Sequence, residues 1–147
     1  MTTADVLTLN QTVLDSWNRH DTNAFLELCD ENIVWRDTVN PEPFKGKEGA
    51  KIYFEMWRTA FPDFQITLLN AVANETSVAC EIEFNATNSG SMTMPGQPEI
   101  PPTNIKVSAV KETVFFTMKD GKIIEISYYP DMMGLMTQLG LMLEQEA

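Results

Sequence analysis

Residues 107–140 read VSAVKETVFFTMKDGKIIEISYYPDMMGLMTQLG, and this stretch decides the fold. Apolar residues alternate with polar ones on both sides of Asp120-Gly121, a pattern that predicts a tight β-hairpin. Successive strand side chains point to opposite faces. One face of the first strand is thus predicted to carry Ser108, Val110, Glu112, Val114, Phe116 and Met118. Glu112 is a carboxylate on an otherwise apolar face.

The second strand of the hairpin is predicted to place Ile124, Ile126 and Tyr128 on one face. Antiparallel pairing brings the apolar faces of the two strands together. Glu112 and Tyr128 are therefore expected to share one apolar surface, which is either core or the wall of a pocket.

Hydrophobic periodicity assigns the other elements, and proline and glycine mark their ends. An amphipathic helix is predicted over residues 4–19, with Thr2 or Thr3 as its N-cap and with Leu7 and Leu14 beside its apolar stripe. The remaining predictions are helices at 22–29, 49–60 and 131–146, strands at 33–36, 64–72 and 77–86, and a proline-rich loop at 88–104.

Helices come first and a run of strands follows, which predicts an α+β fold with the helices packed on one face of an antiparallel sheet. A strongly curved sheet closed by helices would leave a conical cavity. With 147 residues, the chain is expected to form one domain over residues 1–147.

The formal net charge of −11 argues against nucleic acid and anionic membrane as partners, since no stretch gathers Lys or Arg into a phosphate-binding surface. Neither a secretory signal nor a membrane span is recognisable, so a soluble cytoplasmic protein is expected. Cys29 and Cys80 are expected to be reduced core thiols.

Seven segments, taken in order, resemble the SnoaL-like polyketide cyclase (ester cyclase) branch of the NTF2-like superfamily. They are Trp17-Asn18-Arg19-His20-Asp21, Val34-Trp35-Arg36-Asp37, Phe61-Pro62-Asp63, Thr87-Asn88-Ser89-Gly90, Pro101-Pro102-Thr103, Asp120-Gly121-Lys122-Ile123 and Asp131 through Gln138-Leu139-Gly140. The ordered set spans nearly the whole chain.

The resemblance implies a cone-shaped α+β barrel, commonly a homodimer, with a deep pocket on the concave face of the sheet and no metal or organic cofactor. Family enzymes close polycyclic rings by intramolecular aldol chemistry with an aspartate as acid/base and a histidine near it. Here Tyr128 stands at the position of that aspartate and Val114 at that of the histidine, while Asn88 replaces the histidine of a Thr-His-Thr-Gly motif.

Glu112 is the first candidate for proton transfer, because burial away from charge would raise its pKa towards neutrality. A Glu112 that reaches water or pairs with Lys106 or Arg36 is the alternative. Tyr128 can donate a hydrogen bond to a developing oxyanion, or it can be a packing tyrosine. Asp37 can orient a ligand or share a proton with Glu112, or it can cap a loop.

The predicted substrate-binding residues are mostly apolar and come from several elements. They are Trp35, Tyr53, Trp57, Asn88, Val114, Phe116, Met118, Met94, Asp131 and Met136. Trp35 is expected to stack on a planar ligand, with a core role as the alternative, and the methionines either line an adaptable pocket or a dimer interface or fill the core. Asp131 is expected to act chiefly as a helix N-cap. His20, the single histidine, is placed at a helix end and not in catalysis.

Together these residues indicate a cofactor-independent enzyme that cyclises or isomerises an apolar polycyclic small molecule of the polyketide or terpenoid kind. Glu112 would move a proton and Tyr128 would stabilise an oxyanion. Three alternatives stay open: a non-catalytic binding module, an epoxide hydrolase or dehydratase with Asp37 and Glu112 around one water, and a protein-binding adaptor.

Overall fold

The computed structural model describes residues 1–142. Its elements, in chain order, are α1 (Thr3–Asn18), α2 (Thr22–Glu27), β1 (Cys29–Asp37), β2 (Phe44–Lys45), α3 (Gly46–Ala60), β3 (Gln65–Ala73), β4 (Ser77–Thr87), β5 (Lys106–Lys119), β6 (Lys122–Pro130) and α4 (Met132–Gln138). The α+β prediction is confirmed. Within the described residues the sheet has six strands in the order β2-β1-β6-β5-β4-β3, so it is curved but not closed into a barrel.

One strand pairing departs from the predicted antiparallel run. β1 and β6 are parallel, and their register sets Trp35 beside Ile126 and Asp37 beside Tyr128. A parallel pair needs a long connection, and the chain between the two strands supplies it. The pairing joins the first strand of the chain to the last, which brings Asp37 to the predicted site.

The hairpin between β5 and β6 is confirmed. Lys119 pairs with Lys122, and Asp120 and Gly121 both adopt left-handed backbone conformations, with φ of 52° and 76°. Two central residues with positive φ match the twist of the flanking strands, and this is why Asp-Gly is favoured there. Burial alternates along β5 as predicted from Val110 to Met118, so Glu112 does lie on the buried face.

Two β-bulges make the predicted faces wrong at one position in each strand. In β5, Ala109 has a φ of 53° and adds a residue opposite β4, so Val107 is buried and Ser108 is exposed. In β6, a register shift buries Ile123 and leaves Ile124 only partly buried. An inserted residue reverses the facing of everything beyond it.

The N-terminal helix follows the prediction, with one exception. Thr2 is its N-cap and forms a reciprocal capping box with Asp5, which satisfies two backbone donors of the first turn. Val6 and Val13 are fully buried, whereas Leu7, expected beside the apolar stripe, is 40% exposed. The second helix ends before Cys29, which belongs to β1.

The terminal helix is shorter than predicted. α4 ends at Gln138, and Gly140 takes a φ of 71°, a left-handed conformation typical of the residue that ends a helix. The prediction is therefore wrong for residues 139–142, and its last part, 143–146, lies outside the described residues. No helix within residues 1–142 is long and apolar enough to cross a membrane.

The loop at residues 88–104 is anchored by Asn88, which is fully buried. Its side chain donates to the carbonyl oxygens of Ala60 and Gly90 and accepts from the backbone N–H and hydroxyl of Thr103. Met92 and Ile100 form a short antiparallel bridge inside the loop. These bonds fix both ends of the loop against the end of α3.

Candidate active site

Two narrow apolar cavities lie between the sheet and the helices. The inner cavity is lined by residues of α1, α3 and the sheet, including Glu112 and Tyr128. The outer cavity is lined by residues of α3, α4, the loop at 88–104 and the end of β1. Tyr53 and Trp57 line both cavities and form their common wall. The inner cavity has a volume of about 40 Å³ and the outer cavity one of about 30 Å³, so each has room for a few waters.

Glu112 comes from the buried face of β5, where apolar residues precede and follow it two positions away. Its neighbours on that face, Val110 and Val114, are buried as well, and Glu112 itself is only 4% exposed. No salt bridge reaches Glu112 from the residues that the structure describes, and Lys111, the next residue, instead pairs with Glu83. The alternative of a solvated or ion-paired Glu112 does not describe this carboxylate.

Tyr128 is the hydrogen-bond partner of Glu112. The phenol hydroxyl donates to Glu112 Oε2, and both side chains are buried. Burial raises the pKa of the Glu112 carboxyl to about 7, because removal from water disfavours the charged form, and the hydrogen bond from Tyr128 partly opposes this rise. The carboxyl is thus able to bind or release a proton near neutral pH.

The Tyr128 phenol remains protonated over the same range. Burial, followed by the nearby Glu112 carboxylate, raises the pKa of Tyr128 well above its usual value. A neutral phenol keeps its proton as a hydrogen-bond donor, which is the state that an oxyanion-stabilising group requires.

Asp37 lines the outer cavity and forms a second carboxylate–phenol pair. Its Oδ2 accepts a hydrogen bond of 2.8 Å from the Tyr53 hydroxyl and another of 2.8 Å from Asn40 Nδ2. Its Oδ1 accepts from the backbone N–H groups of Val39 and Asn40. Asp37 therefore holds the start of the loop after β1. Burial, and after it the Asp37 charge, raises the pKa of Tyr53 well above its usual value.

Trp35 lines the inner cavity from β1 and is 4% exposed. Its ring lies 4.2 Å from that of Tyr53 and 5.7 Å from those of Trp17 and Phe25, measured between ring centroids. Its indole Nε1 is buried without a hydrogen-bond partner among the described residues.

The other predicted site residues fall into two groups. Val114 and Phe116 line the inner cavity and Met94 the outer one, together with Tyr53 and Trp57. Four predicted residues lie outside both linings: Met118 is in the core, Met136 packs on the second hydrophobic cluster, Asn88 anchors the loop and Asp131 caps α4.

Several lining residues were not predicted as site residues. Leu14, Trp17, Ile66, Ile82 and Phe84 line the inner cavity, and Met56, Met92, Met132 and Leu135 are among those that line the outer one. Ile82 and Phe84 alternate with polar residues along β4, and Trp17 belongs to the apolar stripe of α1, so the hydrophobic pattern of the sequence indicates that all three face inward. Which inward residues reach a cavity depends on packing between elements, which no local pattern encodes.

The inner cavity combines a buried carboxyl group with a neutral phenol donor in apolar surroundings. Chemically, such an arrangement can move a proton on a carbon atom next to a carbonyl group. Across residues 1–142, no group of three or more His, Cys, Asp or Glu side chains comes close enough to hold a metal ion. The two cysteines are buried and unpaired, and burial raises the pKa of the Cys29 thiol to about 12.

A family model described as SnoaL-like polyketide cyclase matches residues 7–139. A search of curated proteins finds no match. Among solved structures, a protein of Jannaschia sp. CCS1 provisionally assigned as a SnoaL-like polyketide cyclase has a TM-score of 0.83 and 19% identity. The alignment covers 97% of this chain and 96% of the other.

Two further structures share the fold. AclR from Streptomyces galilaeus, provisionally assigned as a hydroxylase, has a TM-score of 0.79 and 25% identity over 99% of this chain and 91% of its own. SalBIII, an epoxide hydrolase/cyclase-like enzyme with a role in pyran ring formation in the polyether salinomycin, has a TM-score of 0.70 and 22% identity. That alignment covers 86% of this chain and 91% of SalBIII. The fold is thus the NTF2-like one.

Proposed function

The chain belongs to the SnoaL-like polyketide cyclase family, and from this premise we propose that it isomerises or cyclises an apolar, ring-containing ketone by general acid–base catalysis. Polyketide and terpenoid-like polycyclic compounds are the substrate class. The observation that carries the proposal is the buried Glu112–Tyr128 pair in the inner cavity, with the pKa of Glu112 raised to about 7.

Glu112 is the proton carrier in this proposal. As a carboxylate it removes a proton from the carbon next to the substrate carbonyl, and as a carboxylic acid it returns that proton elsewhere on the substrate. In an isomerisation the proton leaves the α carbon, the double bond moves and a more distant carbon receives the proton, so that no atom is gained or lost. A carboxyl with a pKa near the working pH serves both halves of the cycle well.

Tyr128 stabilises the enolate oxygen. At rest its hydroxyl donates to Glu112. Once Glu112 has taken a proton it becomes a poorer acceptor, so the phenol is released to donate to the oxygen on which negative charge develops. The same proton transfer that creates the oxyanion therefore frees its donor.

The size of the cavities bears on the substrate. Each one has room for a few waters, so a polycyclic ligand requires the shared wall of Tyr53 and Trp57 to shift and join the two. A ligand with a single six-membered ring requires the smallest shift of Tyr53 and Trp57. A small cyclic ketone is therefore the suitable first probe.

The test is the isomerisation of 3-cyclohexen-1-one to 2-cyclohexen-1-one, followed by the absorbance of the conjugated product. We expect the rate to rise with pH through a midpoint near 7, where Glu112 becomes a carboxylate. Glu112→Gln should lower the rate by about 10²- to 10⁴-fold and abolish the midpoint. Glu81→Gln, on the exposed side of the neighbouring strand β4, is the matched control and should leave the rate and the pH midpoint unchanged.

Two results would overturn the proposal. One is turnover with a midpoint near 7 that persists in Glu112→Gln. The other is binding of the ketone in the inner cavity with no turnover at any pH, which would favour the non-catalytic binding module.

Epoxide opening is a second candidate. The register of β1 and β6 sets Asp37 beside Tyr128, so two carboxylate–phenol pairs, Glu112–Tyr128 and Asp37–Tyr53, occupy adjacent strands and the helix above them. SalBIII, which shares the fold, is epoxide hydrolase/cyclase-like. Cyclohexene oxide is the probe: formation of the diol, lost in both Glu112→Gln and Asp37→Asn, would favour this candidate. The homodimer that the resemblance implies also stays a prediction. Sedimentation velocity, which measures the mass of the particle in solution, would test it.

A further inference from the structure

The indole N–H of Trp35 is a polar group that the protein leaves unused. It is buried, and no acceptor within residues 1–142 reaches it. Other buried polar side chains nearby have partners: Tyr128 donates to Glu112 and Tyr53 to Asp37. A buried donor without an acceptor costs free energy, and such groups are rare in native proteins, so an N–H without a protein acceptor at a cavity marks a place where a ligand atom can accept.

Three aromatic rings pack around Trp35. Tyr53 lies tilted over it at 36°, while Trp17 and Phe25 meet it at 66° and 64°. Stacking of a planar ligand on Trp35 stays a prediction from the sequence. The surrounding rings offer at most weak N–H to π contacts, which do not replace a full hydrogen bond. The indole N–H of Trp35 is therefore free to donate a hydrogen bond to a ligand.

Trp35 also lies in the right place to meet a ligand. It lines the same inner cavity as Glu112 and Tyr128, and two-residue spacing along β1 puts it on the same face of the sheet as Asp37, the register partner of Tyr128. At rest the Tyr128 hydroxyl is engaged by Glu112, whereas the Trp35 N–H is not engaged at all.

We propose that the Trp35 indole N–H binds the oxygen acceptor of the substrate in the inner cavity. This inference rests on the proposed function and deepens it, because it names the donor that holds the ketone oxygen of the substrate. An indole N–H donates and does not accept. It holds a carbonyl oxygen in the ground state and selects against the corresponding hydrocarbon, for which the donor stays unpaired.

The experiment compares two probes of nearly equal shape, cyclohexanone and methylenecyclohexane, which differ in the presence of the oxygen. Proton–nitrogen NMR resolves the indole N–H signals of the three tryptophans, and Trp35→Phe identifies that of Trp35. We expect cyclohexanone to move the Trp35 signal downfield, as a new hydrogen bond does, and methylenecyclohexane to leave it near its free position.

Affinity provides the second readout. A neutral hydrogen bond contributes a factor of roughly two to ten, so Trp35→Phe should weaken cyclohexanone binding by that factor and leave methylenecyclohexane binding nearly unchanged. Replacement of Trp35 by 3-benzothienylalanine keeps the shape of the side chain and exchanges the N–H for sulfur. This replacement should also weaken cyclohexanone binding and leave methylenecyclohexane binding nearly unchanged. Since the N–H has no partner in the free protein, this replacement should not lower the free energy of unfolding.

The outcomes separate this inference from the proposed function. If cyclohexanone shifts the Glu112 and Trp57 signals but not the Trp35 N–H, or binds the benzothienyl variant equally well, the donor role is wrong while the inner cavity remains the site. If the benzothienyl variant is clearly less stable, the N–H has a structural partner and the inference is also wrong. If neither probe disturbs any inner-cavity signal, the inference and the proposed site fail together.

Discussion

Two carboxylate–phenol pairs are present within residues 1–142, and they differ in what surrounds the carboxylate. In the inner cavity Glu112 accepts from Tyr128 within an apolar lining. At the outer cavity Asp37 accepts from Tyr53 and from three further donors of Val39 and Asn40. The two pairs contain the same chemical groups, but only the first has few donors and full burial.

The surroundings of the carboxylate, more than its residue type, distinguish the two pairs. Burial with a single hydrogen bond leaves the neutral form of Glu112 competitive near pH 7, whereas the four hydrogen bonds of Asp37 tie it to Tyr53 and to the loop after β1. We therefore read Glu112 as a proton carrier in the proposed mechanism and Asp37 first as the anchor of the loop after β1.

The largest expected effect concerns how stability depends on pH. The Glu112 carboxyl has a pKa of about 7 in the folded protein against an ordinary value of 4.5. Below pH 4.5 it is neutral in both states. As pH rises from 4.5 to 7, the unfolded carboxyl ionises first, so the folded state loses stability until the folded carboxyl ionises as well. At about 1.4 kcal/mol per pKa unit, the total loss is about 3 kcal/mol.

Glu112→Gln isolates this contribution, because glutamine is neutral at every pH and can still accept from Tyr128. We expect urea unfolding to show the variant about 3 kcal/mol more stable than the wild type at pH 8 and equal to it at pH 4. A stability difference that does not change between pH 4 and pH 8 would mean that Glu112 is not held neutral by burial.

The next effect in size belongs to the other pair. Asp37→Asn removes the charged acceptor of the buried Tyr53 hydroxyl and of Asn40 Nδ2. Since hydrogen bonds to charged groups contribute roughly 1.5–3 kcal/mol, we expect about 2 kcal/mol less stability in urea unfolding at pH 7. Tyr53→Phe, which keeps the three other bonds of Asp37, should cost less. If Asp37→Asn had the same free energy of unfolding as the wild type, Asp37 would not have the structural role assigned to it.

The smallest effect is a shift in the titration of Glu112. The bond from Tyr128 favours the carboxylate and so holds the pKa of Glu112 below the value that burial alone would give. Tyr128→Phe should therefore move the midpoint of the Glu112 titration upward, as measured by carbon NMR of the carboxyl. Tyr129→Phe, at the exposed neighbouring position, is the control and should leave the midpoint in place. A downward shift in Tyr128→Phe would contradict the contact.

Local pattern was enough to find the inner pair. The Asp-Gly turn set the hairpin, and strict alternation from Val110 to Met118 then placed Glu112 on the buried face and Tyr128 near it. These features depend on residues that are close in sequence and on a turn whose two central residues, Asp and Gly, favour its backbone conformation.

The outer pair and the Trp35 donor could not be predicted in the same way. The Asp37–Tyr53 contact joins a strand end to a helix, and the parallel pairing of β1 with β6 joins residues about ninety positions apart. The bulge at Ala109 puts a residue other than glycine in the left-handed region, which no propensity favours. Whether the Trp35 N–H finds an acceptor depends on the packing of several elements.

The most direct test of the account is the titration of Glu112 itself in the folded wild-type protein, followed by carbon NMR of side-chain carboxyls, with Glu112→Gln to assign the signal. We expect a midpoint near pH 7. A midpoint near the ordinary 4.5 would show that the carboxylate is stabilised by water or by a partner, and Glu112 would then lose its place as the proton carrier of the inner cavity.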